Sequence, residues 1–338
     1  MTADTNKRII LASRPLGWVS EDNFEITESA RPEPADGQVL IRVIHLSLDP
    51  YMRARMNDVK SYVPPFQTGE VISGGAIGEI VASRNPGFAE GDIVSGMLGW
   101  EQYSISNGAG LIKLDPGLAP LPSFLGVLGM PGFTAYVGLI KIGQPRAGET
   151  VFVSAASGAV GSVVGQIAKI KGCRAAGSAG TDEKVRFITD ELGFDAAFNY
   201  KTEHPHQTLA TTCPDGIDIN FENVGGETLE AALAHMNPFG RIAFCGAISQ
   251  YNDTAPPPGP RNLVSIIGKR LRMEGFIVSD HSDLLPDFTR DMSRWLQEGR
   301  VKARETVIQG LENTPKAFVG LFKGENFGKL VTQVSDEP

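Results

Sequence analysis

A glycine turn between a predicted strand and a predicted helix is the first feature of the sequence that could hold a ligand. The stretch VFVSAASGAVGSVVGQIAKIKG begins at Val151, and its turn over 156–161 is one residue short of a full GxGxxG motif. Gly158 would let the backbone approach a pyrophosphate, and Gly161 would let the helix pack close to the strand. The start of the helix would direct N–H groups and the positive end of its dipole at the phosphates. We therefore expect a dinucleotide at this turn, the alternative being a tight strand–helix connection without a ligand.

The end of the next predicted strand indicates which dinucleotide binds. An NAD site places an acidic residue roughly 20 residues after the turn, where it binds the adenosine ribose hydroxyls. Here the corresponding stretch, GSAG over 177–180, carries no carboxylate, and Lys184 lies one helical turn further on. Small residues leave room for a 2′-phosphate, which the lysine would neutralise. We therefore predict NADP(H) rather than NAD(H), although Lys184 by itself is equally compatible with a solvated lysine on a helix face.

The residue types that catalytic zinc or a nucleophilic mechanism requires are not gathered in this sequence. Of the five histidines only His45 falls in the first third of the chain, and no cysteine precedes Cys173. Three cysteines cannot form a tetracysteine zinc site, and no GxSxG nucleophile motif occurs. We expect no metal, and we expect the cofactor and one or two hydroxyl groups to carry the chemistry.

Two patterns along the chain indicate two domains. Up to residue 126 the sequence is rich in strand-like stretches bounded by Gly, Pro or Asp, which favours a small barrel-like antiparallel domain. From residue 127 strand-like runs alternate with helical patterns, which is typical of a parallel sheet with six strands. These runs are 150–154, 173–178, 196–200, 217–222, 241–247 and 271–278. We expect 127–305 to form this doubly wound α/β domain, and 306–338 to return to the first domain, 1–126.

Composition and charge narrow the range of partners. The chain has 338 residues and a net charge of −8 at pH 7, which argues against a general nucleic-acid or anionic-membrane surface. No apolar run approaches the roughly 18 residues of a membrane helix. The first ten residues lack the apolar segment of a signal peptide, and the three cysteines lie far apart. We therefore expect a cytoplasmic protein that acts on a small molecule.

Motifs over nearly the whole chain resemble one family. They are SLDPYMR (47–53), GMPGFTAYVGL (129–139), AASGAVGSVVGQIAKIKGC (155–173), GTDEK (180–184), FNYK (198–201), ENVGG (222–226), CGAISQYN (245–252) and GENFGKL (324–330). The chain resembles the zinc-free medium-chain dehydrogenase/reductases, in the branch of prostaglandin reductase (leukotriene B4 dehydrogenase), alkenal double-bond reductase and curcumin reductase. The resemblance implies a GroES-like β-barrel-type substrate domain, a Rossmann domain, and NADPH-dependent reduction of the carbon–carbon double bond of α,β-unsaturated ketones and aldehydes.

Carried over residue by residue, the resemblance also implies a set of NADP(H) contacts. They are Gly158, Ala159, Val160 and Gly161 at the pyrophosphate, Lys184 and Tyr200 at the 2′-phosphate, Asn223 after the fourth strand, Cys245, Gly246, Ala247, Ile248, Ser249 and Tyr251 beside the nicotinamide, and Phe276, Ile277, Val278 and Asn326. In one departure from the family pattern, Glu222 replaces the aspartate that often precedes the asparagine. Because the charge is kept, we expect Asn223 to stay in place.

Two tyrosines are the predicted catalytic residues. Hydride delivered to the β-carbon of an enone leaves enolate charge on the carbonyl oxygen, and a placed O–H donor stabilises that charge. Tyr251 suits this role because a phenol is protonated at neutral pH; the alternative is an aromatic ring that packs against the nearby APPPGP loop. In the family, the tyrosine at the position of Tyr51 faces the substrate pocket, and packing under the barrel is the alternative here.

The sequence is also compatible with three other functions and with one assembly. The first is a quinone reductase of the same zinc-free superfamily, the second is alcohol oxidation in the reverse direction, and the third is an NADPH-binding partner protein without turnover. The stretch LRMEGFIV over 271–278 could be an edge strand of the Rossmann sheet. Two such edges that pair across a two-fold axis would form a homodimer.

Overall fold

In a computed structural model, which describes residues 5–338, the chain divides into two units. One unit consists of the described residues up to Leu125 together with Glu305–Pro338, and the other is Gly126–Arg304. Within residues 5–338, no helix is both long enough and apolar enough to span a bilayer.

Antiparallel strands build the N-terminal part of the first unit. They are β1 (Thr5–Leu11), β2 (Phe24–Ala30), β3 (Val39–Ser47), β4 (Ser73–Ser83), β5 (Ile93–Gly99), β6 (Tyr103–Ser106) and β7 (Ile112–Lys113), with helix α1 (Tyr51–Arg55) between β3 and β4 and 3-10 turns at Glu21–Asn23 and Leu121–Leu125. β1 and β2 form a two-stranded sheet, whereas β3 pairs with both β4 and β6. Every residue of β3 except Arg42 is buried, because this strand, rich in Val, Ile and Leu, is covered on both faces.

A parallel sheet with helices forms the second unit. Its strands are β8 (Thr150–Val153), β9 (Arg174–Ala179), β10 (Ala196–Asn199), β11 (Ile217–Glu222), β12 (Met236–Phe244) and β13 (Arg272–Gly275). Its helices are α2 (Met130–Tyr136), continued as a π-helix over Val137–Gly143, α3 (Gly161–Ile170), α4 (Asp182–Arg186), continued as a π-helix over Phe187–Glu191, α5 (Pro205–Thr212), α6 (Gly226–His235), α7 (Ser265–Lys269) and α8 (Leu285–Gln297), with 3-10 turns at Ile248–Gln250 and Val278–Leu284.

The order of these strands decides the fold class. Across the sheet they run β10-β9-β8-β11-β12-β13, and all neighbours are parallel. Counted from the first strand of the unit, this is the order 3-2-1-4-5-6 of the dinucleotide-binding fold, which reverses direction between β8 and β11. The predicted doubly wound α/β fold is confirmed, and the carboxyl ends of its strands share one edge of the sheet.

Two predicted strands have different limits in the structure. β12 ends at Phe244, so the predicted strand over 241–247 is wrong from Cys245 onward. There the N–H groups of Cys245 and Gly246 both donate to the carbonyl oxygen of Glu222, at 2.9 and 3.0 Å, and the chain turns out of the ladder. β13 likewise ends at Gly275, so Phe276, Ile277 and Val278 follow the strand instead of extending it.

The C-terminal segment completes the sheet of the first unit. It contains β14 (Glu305–Gln309), a 3-10 turn (Leu311–Asn313), α9 (Thr314–Lys323) and β15 (Lys329–Gln333). β15 pairs antiparallel with β3 and parallel with β14, so the sheet runs β14-β15-β3-β4-β5-β7. Phe318 of α9 packs its ring against Trp100 at 5.7 Å between centroids, which fixes the helix on the barrel core.

Candidate active site

The glycine turn after β8 is tight enough to place α3 directly at its end. Ala155 has a left-handed backbone (φ 52°), and its carbonyl accepts a hydrogen bond from the N–H of Gly158 at 3.0 Å. A Cβ atom on Gly161 would lie 2.5 Å from that carbonyl oxygen and 2.9 Å from Cα of Ala156, so a larger residue does not fit. α3 begins at Gly161, so the positive end of its dipole lies at this turn. The N–H groups of Ser162 and Val163 donate to the carbonyls of Gly158 and Val160, at 3.0 and 3.1 Å, and hold the turn against the helix. The arrangement suits a pyrophosphate.

The carboxyl end of β9 is surrounded by two lysines and a tyrosine. A Cβ atom on Gly180 would lie 3.1 Å from the hydroxyl oxygen of Tyr200 and 3.3 Å from Cε of Lys201. Lys184 in α4 is buried, and burial together with the nearby Lys201 charge lowers its pKa. Asp182 lies close in sequence, but its carboxylate accepts a hydrogen bond from the amide of Asn199 at 2.7 Å. This end of the strand therefore offers positive charge where an NAD site has a carboxylate.

Lys201 is a further candidate site residue, which the sequence did not single out. The signal was available, because Lys201 follows the predicted contact Tyr200 directly at the end of β10. Since β10 is the parallel neighbour of β9, its carboxyl end lies beside Gly180.

A buried carboxylate fixes the segment after β11. Glu222 accepts hydrogen bonds from the Ser154 hydroxyl (2.9 Å), the Asn220 amide (3.0 Å) and the N–H groups of Val224 (2.7 Å) and Gly225 (2.8 Å). Burial raises the pKa of Glu222, and these four donors oppose the shift. The hydrogen-bonding needs of this carboxylate are met within the fold, which is typical of a structural residue.

Asn223 is held by the same serine. Its backbone N–H donates to the hydroxyl oxygen of Ser154 and its side-chain amide donates to the carbonyl oxygen of Ser154, both at 2.8 Å. The side chain is thereby oriented at the carboxyl edge of the sheet, where this fold binds its ligand. Ser154, at the end of β8, is a second residue that the sequence reasoning missed, because a serine after a strand carries no pattern of its own.

Tyr251 lies at the end of a loop that folds back on itself. The loop is pinned to the segment after β11, since the N–H of Ile248 donates to the carbonyl of Asn223 at 3.1 Å. The Tyr251 hydroxyl oxygen accepts the N–H of Ala247 at 3.2 Å, and a Cβ atom on Gly246 would lie 2.9 Å from it. A phenol that accepts a hydrogen bond retains a hydrogen of its own, so Tyr251 is chemically suited to act as a donor.

Cys245 and Phe276 complete this edge of the second unit. Burial, with a contribution from Glu222, raises the pKa of the Cys245 thiol to about 12, so it is a thiol at neutral pH. Phe276 packs edge-to-face on Phe221, with 6.4 Å between ring centroids, directly after β13. The predicted contacts of this unit thus follow the carboxyl ends of its parallel strands.

Tyr51 and Asn326 lie in the first unit, on segments that a buried ion pair joins. Tyr51 begins α1, two residues after Asp49, and burial and the Asp49 charge raise its pKa. Lys329 at the start of β15 places Nζ 2.8 Å from a carboxylate oxygen of Asp49 and 2.8 Å from the carbonyl of Leu48. Both charged side chains are buried, at 3% and 8% exposure. The Asn326 amide, three residues earlier, donates to the carbonyl of Gly328 at 2.9 Å.

Comparison with known proteins identifies the family of the chain. Residues 7–114 match a family model described as the N-terminal domain of oxidoreductase, and residues 159–298 match one described as zinc-binding dehydrogenase. Among the described residues, however, no three His, Cys, Asp or Glu side chains are grouped so that they could hold a metal ion.

Full-length relatives identify the branch of the family. The chain is 47% identical to the NADPH-dependent curcumin reductase of Escherichia coli (strain K12), over 98% of each chain, and 46% identical to the NADP(+)-dependent 2-alkenal reductase of Nicotiana tabacum, over 98% of each chain. The crystal structure of CurA from Vibrio vulnificus in complex with NADPH is 48% identical and matches with a TM-score of 0.93, over 98% of this chain and 100% of that chain. The chain belongs to the zinc-free branch of the medium-chain dehydrogenase/reductase family, as its motifs predict.

Proposed function

We propose that this protein reduces the carbon–carbon double bond of α,β-unsaturated ketones and aldehydes, with Tyr251 as the donor to the enolate oxygen. That the chain is an NADP(H)-dependent oxidoreductase acting on C=C bonds follows from its full-length similarity to reductases of this kind. The same similarity is the observation that carries the proposal, because curcumin and 2-alkenals both contain a double bond conjugated to a carbonyl group.

The residues at the carboxyl edge of the parallel sheet have the chemistry that we propose for an NADP(H) site. The turn over 158–161 would hold the pyrophosphate, and Lys184, Lys201 and Tyr200 would hold the 2′-phosphate. The remaining contacts that we propose are Asn223, Cys245, Gly246, Ala247, Ile248, Ser249, Tyr251, Phe276, Ile277, Val278 and Asn326. When bound, NADPH supplies the hydride. We propose that the second unit binds the cofactor and that the first unit binds the substrate.

Tyr251 would stabilise the charge that develops on the carbonyl oxygen. Its hydroxyl oxygen accepts the Ala247 N–H, so the hydroxyl would need little reorganisation during the reaction. Tyr51 would contact the substrate from the first unit. The proton for the α-carbon would come from a tyrosine or from water.

The first test is consumption of NADPH at 340 nm with a long-chain enal, an aryl enone and a quinone, with identification of the products. We expect the enal or the enone to yield the saturated carbonyl. Turnover of the quinone alone would make the protein a quinone reductase. If NADPH binds and none of the three substrates is reduced, the fold serves as a binding module.

We also propose a homodimer formed by the free edge of β13. An antiparallel pairing centred on Met273 would set Arg272 of one copy against Glu274 of the other, so the edge is self-complementary in charge. Beside it Val264 and Ile267 are 71% and 76% exposed, an apolar surface that a second copy would cover.

Light scattering at micromolar concentration tests this assembly. We expect twice the 36.2 kDa mass of one chain for the wild type, a lower mass for Glu274→Arg, and recovery of the dimer in Arg272→Glu/Glu274→Arg. A wild-type mass of 36.2 kDa would overturn the proposal.

The unpaired state of Cys173, Cys213 and Cys245 supports our proposal of a cytoplasmic location.

A further inference from the structure

Asn199, the last residue of β10, hydrogen-bonds with residues from two neighbouring segments. It is buried, at 5% exposure, and pairs with Ala179 at the end of β9. Its side-chain amide nitrogen donates to a carboxylate oxygen of Asp182 at 2.7 Å, and its side-chain oxygen accepts the backbone N–H of Lys201 at 3.1 Å. Its backbone N–H donates to the carboxylate of Glu203 at 3.0 Å. One buried asparagine therefore joins the start of α4 to the segment that follows β10.

The partners of the Asn199 side chain leave it one orientation. A carboxylate only accepts hydrogen bonds at neutral pH and a backbone N–H only donates, so the amide nitrogen must face Asp182 and the oxygen must face Lys201. The backbone carbonyl of Asn199 accepts the N–H of Glu203 at 2.8 Å, which closes the turn after the strand. The Asn199 amide is thus fixed, and it holds one oxygen of the Asp182 carboxylate beside it.

The position of Asp182 matters for the choice between NADP(H) and NAD(H). Asp182 begins α4 shortly after the end of β9, and Lys184 lies in the same helix. In an NAD site an acidic residue after this strand binds the adenosine ribose hydroxyls. The same negative charge would repel a 2′-phosphate. Asp182 is exposed, so without its partner the carboxylate would be free to turn toward the bound cofactor.

We infer that Asn199 determines the preference for NADP(H), because it binds the Asp182 carboxylate and keeps that charge from the adenosine 2′-phosphate. The inference rests on the proposed placement of the 2′-phosphate beside Lys184 and Lys201. A released carboxylate would repel NADPH and would accept a hydrogen bond from the ribose hydroxyl of NADH. Asn199 is therefore a positioning residue that acts on the cofactor through Asp182, and its loss should affect the two cofactors in different ways.

Dissociation constants for NADPH and NADH, measured by calorimetry without substrate, test the inference. We expect Asn199→Ala to weaken NADPH binding about tenfold and to leave NADH binding unchanged or tighter, since NADH has no 2′-phosphate for the carboxylate to repel. Asp182→Asn removes the charge and keeps an acceptor for the amide, so the ratio of the two constants should stay within about twofold of the wild type. Asn199→Ala/Asp182→Asn should recover that ratio, because no carboxylate is left to be released.

Three outcomes would overturn the inference. The first is a wild-type ratio in Asn199→Ala, and the second is an equal loss with both cofactors, which would indicate support of the fold alone. The third is a double variant that binds as Asn199→Ala does, since the loss would then come from a displaced Lys201. Asp190→Asn removes an exposed carboxylate from the π-helix that continues α4 and serves as the control. If Lys184→Ala/Lys201→Ala keeps the wild-type ratio, the proposed phosphate site fails and the inference fails with it; if that variant loses the preference and the Asn199 variants do not, only the inference fails.

A charge exchange provides a second test, should Asn199→Ala not fold. Asn199→Asp retains an acceptor for the Lys201 N–H but sets two carboxylates against each other, so the preference for NADPH should fall at least as far. Asn199→Asp/Asp182→Asn restores the hydrogen bond with donor and acceptor exchanged, and the preference should return. An exchanged pair that does not recover the preference would overturn the inference. Because binding is measured without turnover, these results do not depend on whether the protein reduces enones.

Discussion

Tyr251→Phe is expected to lower kcat for enone reduction by roughly 10²–10³-fold, the usual effect of removing one oxyanion donor. The substitution keeps the ring and deletes the hydroxyl that lies against Gly246 and Ala247. Enolate charge would then develop without the proposed donor, whereas the glycine turn and the lysines that would hold NADPH are unchanged. Steady-state kinetics at 340 nm should therefore show a large loss in kcat and a KM for NADPH within a factor of a few of the wild type.

A local structural role for Tyr251 predicts a different result. Deleting the hydroxyl also removes the acceptor of the Ala247 N–H, which costs on the order of 1 kcal/mol and could loosen the loop. A loosened loop would weaken NADPH binding in parallel with kcat. Tyr103→Phe, on β6 of the first unit, makes the same chemical change away from the predicted site and serves as the control. An unchanged kcat in Tyr251→Phe would contradict the donor role.

The fold was predictable because its determinants are local. The glycine turn, the helical period after it and the alternation of strands with helices can be read without knowing which strands are neighbours. Strand ends were less predictable. β12 stops at Phe244 because the next two N–H groups donate to the carbonyl of Glu222 on the adjacent strand. That event depends on the sheet order and leaves no mark in the sequence around Cys245.

Residues whose partners are distant in sequence could not be predicted. Lys329 and Asp49 are 280 positions apart, and nothing in either neighbourhood indicates a buried ion pair. Glu222 could be interpreted only as a charge-conserving replacement, whereas the structure shows it fully buried with four hydrogen-bond donors around it. Lys201 is a different case: its place directly after Tyr200 was visible in the sequence, but its position beside Gly180 depends on the pairing of β10 with β9.

Lys184→Ala/Lys201→Ala is expected to raise KM for NADPH about 10²-fold or more and to leave KM for NADH nearly unchanged. Each lysine would contribute a charge-assisted hydrogen bond to the 2′-phosphate, worth about 1.5–3 kcal/mol, and NADH lacks that phosphate. Initial rates with both cofactors measure the change in preference. Lys171→Ala removes an exposed lysine that lies just after α3 and is the matched control. Equal losses with NADPH and NADH would contradict the assignment and indicate that buried Lys184 supports the fold.

The repulsion between Lys184 and Lys201 predicts how NADPH binding depends on pH. Burial and the Lys201 charge lower the pKa of Lys184. Because only the protonated ammonium attracts a phosphate, the affinity for NADPH should begin to fall at a lower pH than it would if Lys184 had the pKa of an exposed lysine. Lys201→Ala removes one phosphate contact but also the repulsion, so the pKa of Lys184 rises and the fall in affinity moves to higher pH. The penalty of Lys201→Ala should therefore shrink as the pH is raised. A penalty that is constant with pH would show that the two ammonium groups do not interact in the free enzyme.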